Sequence, residues 1–320
     1  MTGLAARVPD RETRAGRNCP LSYRYSPRVF DRAPQLVADT IFVVGGLYGN
    51  CEALDAIVAM AEAEPGPATL VFNGDFHWFD VDPLDFGRVD REVARHVAIR
   101  GNVETEIAQD ESDAGCGCAY PADVSDADVS RSNAILERLR KTACAVTGAR
   151  ERLAGLPMHL TARVGDARVG IVHGDAASLA GWGFAHDRLD APGHSRWVEG
   201  AFRDACVDVF ASTHTCLPAL RAFDGGVVAN NGAAGMPNFT GTHFGLVTRI
   251  SLSPSADSRC VFARRHAGAW IEGVRVDYDH PRWLRRFERD WPAGSPAHRS
   301  YFRRIVEGPR FALAAEHGAA

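Results

Sequence analysis

From residue 40 onward, short apolar runs recur along the chain: 41–44 (IFVV), 69–72 (TLVF), 97–99 (VAI), 169–172 (VGIV), 207–210 (VDVF) and 227–229 (VVA). Runs that are apolar on both faces predict strands buried on both sides. Between the first two, residues 51–63 place Leu54, Ile57, Val58 and Ala61 on one helical face. Pro65-Gly66-Pro67 ends that helix, so the first unit is strand–helix–strand and the class is mixed α/β. A second helix is predicted within 127–148, with Ile135, Leu136 and Leu139 turned inward. Alternation over 158–172 around Gly165-Asp166 predicts a hairpin, and 243–250, 259–266 and 270–278 read as antiparallel strands. Residues 1–39 lack sustained periodicity and read as an N-terminal arm, free or strapped over a main domain of 40–280. Residues 281–320 read as a partly helical tail. The stretch 104–150 is expected to hold a cap or long loop, acidic at its start and carrying Cys116-Gly117-Cys118.

The residues just after these runs carry the candidate chemistry. Asn73-Gly74-Asp75 follows the second, Gly101-Asn102-Val103-Glu104 the third and His173-Gly174-Asp175 the fourth. Ser212-Thr213-His214 follows the fifth and Asn230-Asn231-Gly232 the sixth. Carboxyl ends of neighbouring strands share one edge of an open sheet. Asp75, Asn102, His173 and His214 delivered there form an N/O ligand set suited to a divalent transition metal such as Mn, Fe or Zn. Such an ion activates water and neutralises phosphoryl charge. His77, two residues past Asp75, is a general acid, a substitute ligand or an ordinary loop histidine. Gly181-Trp182-Gly183-Phe184-Ala185-His186 is a candidate substrate wall, with Trp182 stacking on a ring and His186 beside it, or a hydrophobic anchor. Asn231 joins these as a substrate-binding candidate. Cys116 and Cys118, downstream of Glu104, Glu106, Asp110 and Asp113, are either further ligands with those acids or unreactive thiols beside solvated carboxylates.

Taken in order, these motifs resemble the calcineurin-like metallophosphoesterases, whose usual run is DxH, GD, GN(H/D), a lone His, GHxH and an Asn-Pro-Gly-Ser-like turn. The chain presents Gly46-Leu47-Tyr48-Gly49-Asn50, Gly74-Asp75, Gly101-Asn102-Val103-Glu104, His173, Ala211-Ser212-Thr213-His214 and Asn230-Asn231-Gly232-Ala233 over 40–278. The resemblance implies a four-layer αββα sandwich. It also implies Asp75 as a bridging carboxylate, Asn102 and His173 on one metal and His214 on the other. The departures are specific. Gly46 and Tyr48 stand where the first motif supplies an Asp and a His, Val103 where a His steadies the transition state, and Ser212 at the first His of GHxH. One divalent metal is therefore expected, two only with substitute ligands. Tyr48 is a phenolate ligand, a substrate contact or packing, and Ser212 binds phosphate or water or fills space. An arginine near the edge, Arg100 among them, would offset part of the missing second charge. The activity implied is hydrolysis of a phosphomonoester or phosphodiester by metal-activated water. The alternative is an impaired descendant that binds phosphate or nucleotide, or serves as an interaction module.

Composition narrows the partners. The 320 residues are 46% hydrophobic and 24% charged, which is ordinary for a globular chain with a core. A net charge of -4 gives no basic footprint for nucleic acid. Lys141 is the single lysine, so nearly every cation is arginine. The eight cysteines form no paired CxxC knuckles and are expected as reduced thiols in the cytoplasm. Residues 1–17 lack the apolar stretch of a secretory signal, and no run approaches the ~20 apolar residues of a membrane span. A small phosphorylated substrate or nucleotide is the expected partner.

Overall fold

The structure, a computed structural model, describes residues 15–110, 113–255 and 258–313. Residues 1–14 of the expected arm and 314–320 of the expected tail lie outside the described residues. In the first sheet β2 (Thr40–Val44), β3 (Ala68–Asn73) and β4 (Val97–Ile99) run parallel. Strands β10 (Gly245–Ser251), β12 (Ala269–Val276) and β11 (Cys260–His266) add antiparallel, for an order β11-β12-β10-β2-β3-β4. The second sheet is ordered β1-β5-β6-β7-β9-β8. Its members are β1 (Leu36–Val37), β5 (His159–Val164), β6 (Ala167–Val172), β7 (Val209–Ser212), β8 (Pro218–Phe223) and β9 (Gly226–Asn231). Within it β6, β7 and β9 are parallel, and β5 and β6 form the hairpin expected around Gly165-Asp166.

Alternation along each strand separates three apolar layers. Ile41, Val43 and Val71 face Val169, Ile171, Val209 and Ala229 of the other sheet. Phe42, Val44, Leu70 and Phe72 point the opposite way, toward helices. That is why the runs are apolar throughout: both faces of these strands are buried. On the outer side of the first sheet lie α1 (Cys51–Glu62), α2 (Pro83–Val93), α4 (Asp126–Ala145), α8 (His280–Asp290) and α9 (Pro296–Glu307), sharing one core with the short helices α3 (Asn102–Ile107) and α5 (Ala149–Ala154). On the second sheet, α7 (Ser195–Ala205) buries Val198, Ala201 and Phe202 against Phe210 and Val228, and α6 (His186–Leu189) is a short turn nearby. The arrangement is the four-layer αββα sandwich.

Several helix starts have plain causes. Asn50 caps α1 by accepting from Ala53 N, and Asp82 followed by Pro83 caps α2. Ser125 caps α4, which buries Ile135, Leu136 and Leu139 as the periodicity requires. Strand β7 begins at Val209 rather than 207, because Asp208 turns its carboxylate to accept from Arg168 N at 2.8 Å.

The two segments expected to decorate the domain are tied into it. Phe30 is buried edge-on against Phe210, and β1 extends the second sheet beside β5. Trp283, Phe287 and Trp291 are buried in the helical side of the core, and Trp291 Nε1 donates to Phe79 O at 2.9 Å. Within 104–150, the first residues belong to α3 and those from 126 to 145 to α4, leaving a loop at 108–125 of which 111 and 112 are not described.

Candidate metal centre

Parallel strands in both sheets end at the same rim, and the connections beyond them carry the site. Beyond β3, Gly74 has φ +92°, and a Cβ there would lie 2.5 Å from Gly101 N and 2.6 Å from His173 Nδ1. Only glycine lets the three loops meet this closely. Tyr48, Asp75, His214 and Cys216 all take left-handed backbone, with φ of +52° to +61°. Non-glycine residues reach that region at a cost, and such strain collects at functional sites.

Four acceptor atoms converge there. His173 Nε2 lies 3.0 Å from Asn102 Oδ1, 3.1 Å from His214 Nδ1 and 3.4 Å from Asp75 Oδ1. The outer atoms of these side chains fix their direction. His173 Nδ1 donates to Asn73 O at 2.9 Å, and His214 Nε2 donates to Cys118 O at 3.2 Å. Asn102 Nδ2 donates to Cys116 O at 2.9 Å, leaving its Oδ1 facing inward. Two imidazole nitrogens and two oxygens thus present lone pairs to one point, with a backbone carbonyl behind each ring and behind the amide.

Such a cluster calls for one positive charge at its centre, proton or cation. Ligands about 2.1 Å from a metal are separated by about 3.0 Å at right angles and about 3.4 Å at the tetrahedral angle. The three separations from His173 Nε2 fall in that range, and Asp75, His173 and His214 offer ligand atoms within 4.8 Å of one another, which suits one divalent transition metal. Burial pushes the Asp75 carboxyl up, but His173 outweighs it and holds Asp75 below the ordinary carboxylate range. Burial pushes His173 down, and the Asp75 carboxylate more than reverses this. Burial, then His173, push His214 down to about 3, so its Nδ1 keeps its lone pair.

Glu104 builds the floor of the site, a role that the motif reading did not give it. Fully buried, it accepts from Asp75 N and Gly101 N through Oε2, both at 2.8 Å. Its Oε1 accepts from Phe76 N at 3.1 Å and His77 N at 3.3 Å. One carboxylate therefore fastens the Asp75 loop to the Asn102 loop. Burial and the Asp75 carboxylate raise its pKa, with the backbone donors and His77 pulling against them.

Side chains fill the place where the motif order would put a second cation. The Tyr48 ring lies over Gly46, where a Cβ would come within 2.8–2.9 Å of Tyr48 Cε2, Cζ and Oη. Tyr48 Oη is 2.9 Å from Cys216 Sγ. Burial raises both the phenol and the thiol pKa, so neither is a ready anion. Tyr48 is a wall of the cavity rather than a ligand within this cluster.

Several sequence expectations change. His214 joins Asn102 and His173 instead of serving a separate metal. The register that fits the geometry is Thr213-His214-Thr215-Cys216 on GHxH, with Cys216 at the second His. Ser212 consequently falls inside β7, paired with Asn230, and does not line the cavity. His77 turns away: it stacks on Phe86 with ring centroids 3.8 Å apart, and its Nδ1 is 2.6 Å from Asp80 Oδ2. Asn231 is an inter-sheet tie, donating to Gly45 O and Leu246 O, both at 2.9 Å. Arg100 bonds Ala154 O and is absent from the cavity wall. Cys116 and Cys118 contribute carbonyls to the site, and burial keeps Cys118 a thiol.

The cavity over the cluster measures about 190 Å³, and Asp75, Asn102, His214, Tyr48, Cys216 and Arg304 are among the residues that line it. Trp182 forms part of its wall, 5.4 Å from the His214 ring and perpendicular to it, and donates Nε1 to Cys118 O at 3.1 Å. Trp182 and Thr215 also wall an adjoining cavity of about 690 Å³ that reaches His186 and Arg188.

The sequence matches no family model. It also matches no curated protein. Solved structures do share the fold. A hypothetical protein of Pyrococcus horikoshii OT3 superposes with a TM-score of 0.59 at 16% identity, covering 86% of this chain and 100% of that one. A metallophosphoesterase from Sphaerobacter thermophilus superposes at 0.52 with 17% identity, covering 84% of this chain and 100% of that one. The fold is therefore the metallophosphoesterase fold read from the motif order. Among the described residues, no helix is long and apolar enough to cross a membrane.

Proposed function

We propose that this chain is a phosphoesterase dependent on a single divalent transition metal (Mn, Fe or Zn), acting on a small phosphorylated substrate in the cytoplasm. The convergence of Asp75, Asn102, His173 and His214 on one point carries the reading. A cation held by these four would withdraw charge from a phosphoryl oxygen and acidify a neighbouring water. The chain's own residues do the rest. The carbonyls of Asn73, Cys116 and Cys118 hold the ligands in their binding tautomers and orientation. Glu104 holds Asp75 in its left-handed conformation, so little reorganisation is needed on binding. The phosphoryl group would take the smaller cavity. The rest of the ester would extend past Trp182 into the larger one beside His186, which is roomy enough for a nucleoside-sized group.

Tyr48 and Cys216 in the second position favour one alternative, a phosphate- or nucleotide-binding module without turnover. One experiment separates the two. Purified protein is analysed for metal and assayed on phosphomonoester and phosphodiester panels with Mn, Fe or Zn. We expect one equivalent of metal and turnover abolished in Asp75→Asn and His173→Ala. Stoichiometric metal with no turnover on any substrate would support the binding module. Turnover unchanged in both variants would remove the mechanism.

A further inference from the structure

We infer that Arg304 takes the place of the missing second cation and binds the substrate's phosphoryl group directly; this rests on the function proposed above. Arg304 lies in the last turn of α9, in a segment outside every motif, and its side chain reaches the cavity wall beside Tyr48 and Cys216. By the motif order Gly46, Tyr48 and Cys216 occupy the positions that would ligate a second metal, and the guanidinium is hydrogen-bonded to one of these residues at Cys216 O. Its Nη2 donates to Cys216 O at 2.6 Å, and Nε and Nη2 donate to Pro237 O at 3.3 and 3.2 Å. Both acceptors are neutral carbonyls, and among the described residues no carboxylate pairs with it. The positive charge is therefore anchored without being neutralised, and Nη1 makes none of these bonds.

Charge balance points the same way. One divalent cation with Asp75 leaves a net single positive charge against a doubly charged phosphate monoester. Arg304 supplies the other. Guanidinium also suits a phosphate through parallel N–H bonds in a planar fork.

The test is titration of Mn(II), and then of inorganic phosphate into the Mn-loaded protein, for wild type, Arg304→Gln and Arg304→Lys, followed by kcat and KM. Loss of a charge-assisted contact should weaken phosphate binding of Arg304→Gln by roughly 10- to 100-fold. Mn(II) affinity should stay within about threefold of wild type, because Arg304 touches none of the four ligands. Arg304→Lys, retaining the charge but not the fork, should fall between. Equal phosphate affinity in wild type and Arg304→Gln overturns the assignment while leaving the proposed function standing. A parallel loss of Mn(II) and phosphate affinity also overturns it, since Arg304 would then act only by holding the His214–Cys216 turn. A Mn-loaded wild type that neither binds phosphate nor hydrolyses esters removes the proposed function, and this inference with it.

Discussion

Glu104→Gln preserves shape and removes half of a buried acceptor. The carboxylate now takes four backbone N–H groups, two on each oxygen, at 2.8–3.3 Å. The amide oxygen of Gln can serve one pair. Its NH2 group must then face the other pair, leaving two buried donors without acceptors. Each orphaned donor costs about 1–3 kcal/mol, so a loss of roughly 3 kcal/mol is expected from a domain whose total stability is of order 5–15. The functional effect is separate. Asp75 N is one of the four donors, and with the NH2 group turned to the Asp75–Gly101 pair its release frees a residue at φ +52° to relax and draw Oδ1 away from His173. Partners one layer behind metal ligands typically carry 10- to 100-fold in affinity, and a loss in that range is expected for Mn(II). Urea unfolding at neutral pH gives the first quantity from the shift in midpoint at constant slope. Calorimetric titration gives the second. A variant within about 0.5 kcal/mol of wild type, binding Mn(II) equally well, would refute the role assigned to Glu104.

Two further outcomes follow from the same geometry. The triple variant Gly46→Asp, Tyr48→His, Cys216→His removes the ring over Gly46 and restores three donors; it should bind two equivalents of Mn(II) where wild type binds one. A folded triple variant with a single equivalent would show that Tyr48 does not fill a cation position. Docking of α8 should be acid-sensitive: burial pushes Asp85 up, but Arg289 and Arg286 outweigh it and hold its carboxyl below the usual range. A depressed carboxyl contributes stability that is complete above its unfolded value and fades as pH falls through its folded one. Urea midpoints should therefore drop between about pH 5 and pH 3, and Asp85→Asn should remove part of that drop; an identical acid profile in the variant would contradict this.

The sequence made the inner architecture legible because β2, β3, β6 and β9 are covered on both faces, and burial of that kind writes itself as unbroken apolar runs. The ligands were legible as types, since Asp75, Asn102 and His173 each stand just past such a run. The placement of His214 was harder. The motif order puts Ser212 at the first His of GHxH, and the pairing of Ser212 in β7 with Asn230 in β9, together with the 3.1 Å approach of His214 Nδ1 to His173 Nε2, moves that register by two residues. His77 shows the opposite limit. Its position beside Asp75 suggested catalysis, but a ring stacked on Phe86 and paired with Asp80 is spoken for by the core. Arg304 and Tyr301 reach the cavity from a helix some 90 residues beyond His214, and no local pattern marks them. Helix α2 had a readable start in Asp82-Pro83, though its apolar positions Phe86, Val89 and Val93 are sparse.

Two of the proposed ligands, Asn102 and His214, are aimed by main-chain oxygens of a single turn, those of Cys116 and Cys118. That turn is braced from outside: Asn133 Oδ1 accepts from Cys116 N at 2.9 Å, and Gly16 N donates to Ala114 O at 2.7 Å. Every amino acid has a carbonyl, so the spelling of the turn can drift without moving the oxygens. Gly115 and Gly117 are exceptions, since a Cβ would lie 2.4 Å from Asn133 Oδ1 at the first and 2.4 Å from Tyr23 Oη at the second. Its length cannot drift, because one residue more or fewer would point both oxygens elsewhere. Substitutions that keep the two glycines and small buried side chains at 116 and 118 should cost little, and insertions or deletions should be ruinous. Relatives that keep the same centre would then be recognised by spacing here rather than by shared letters.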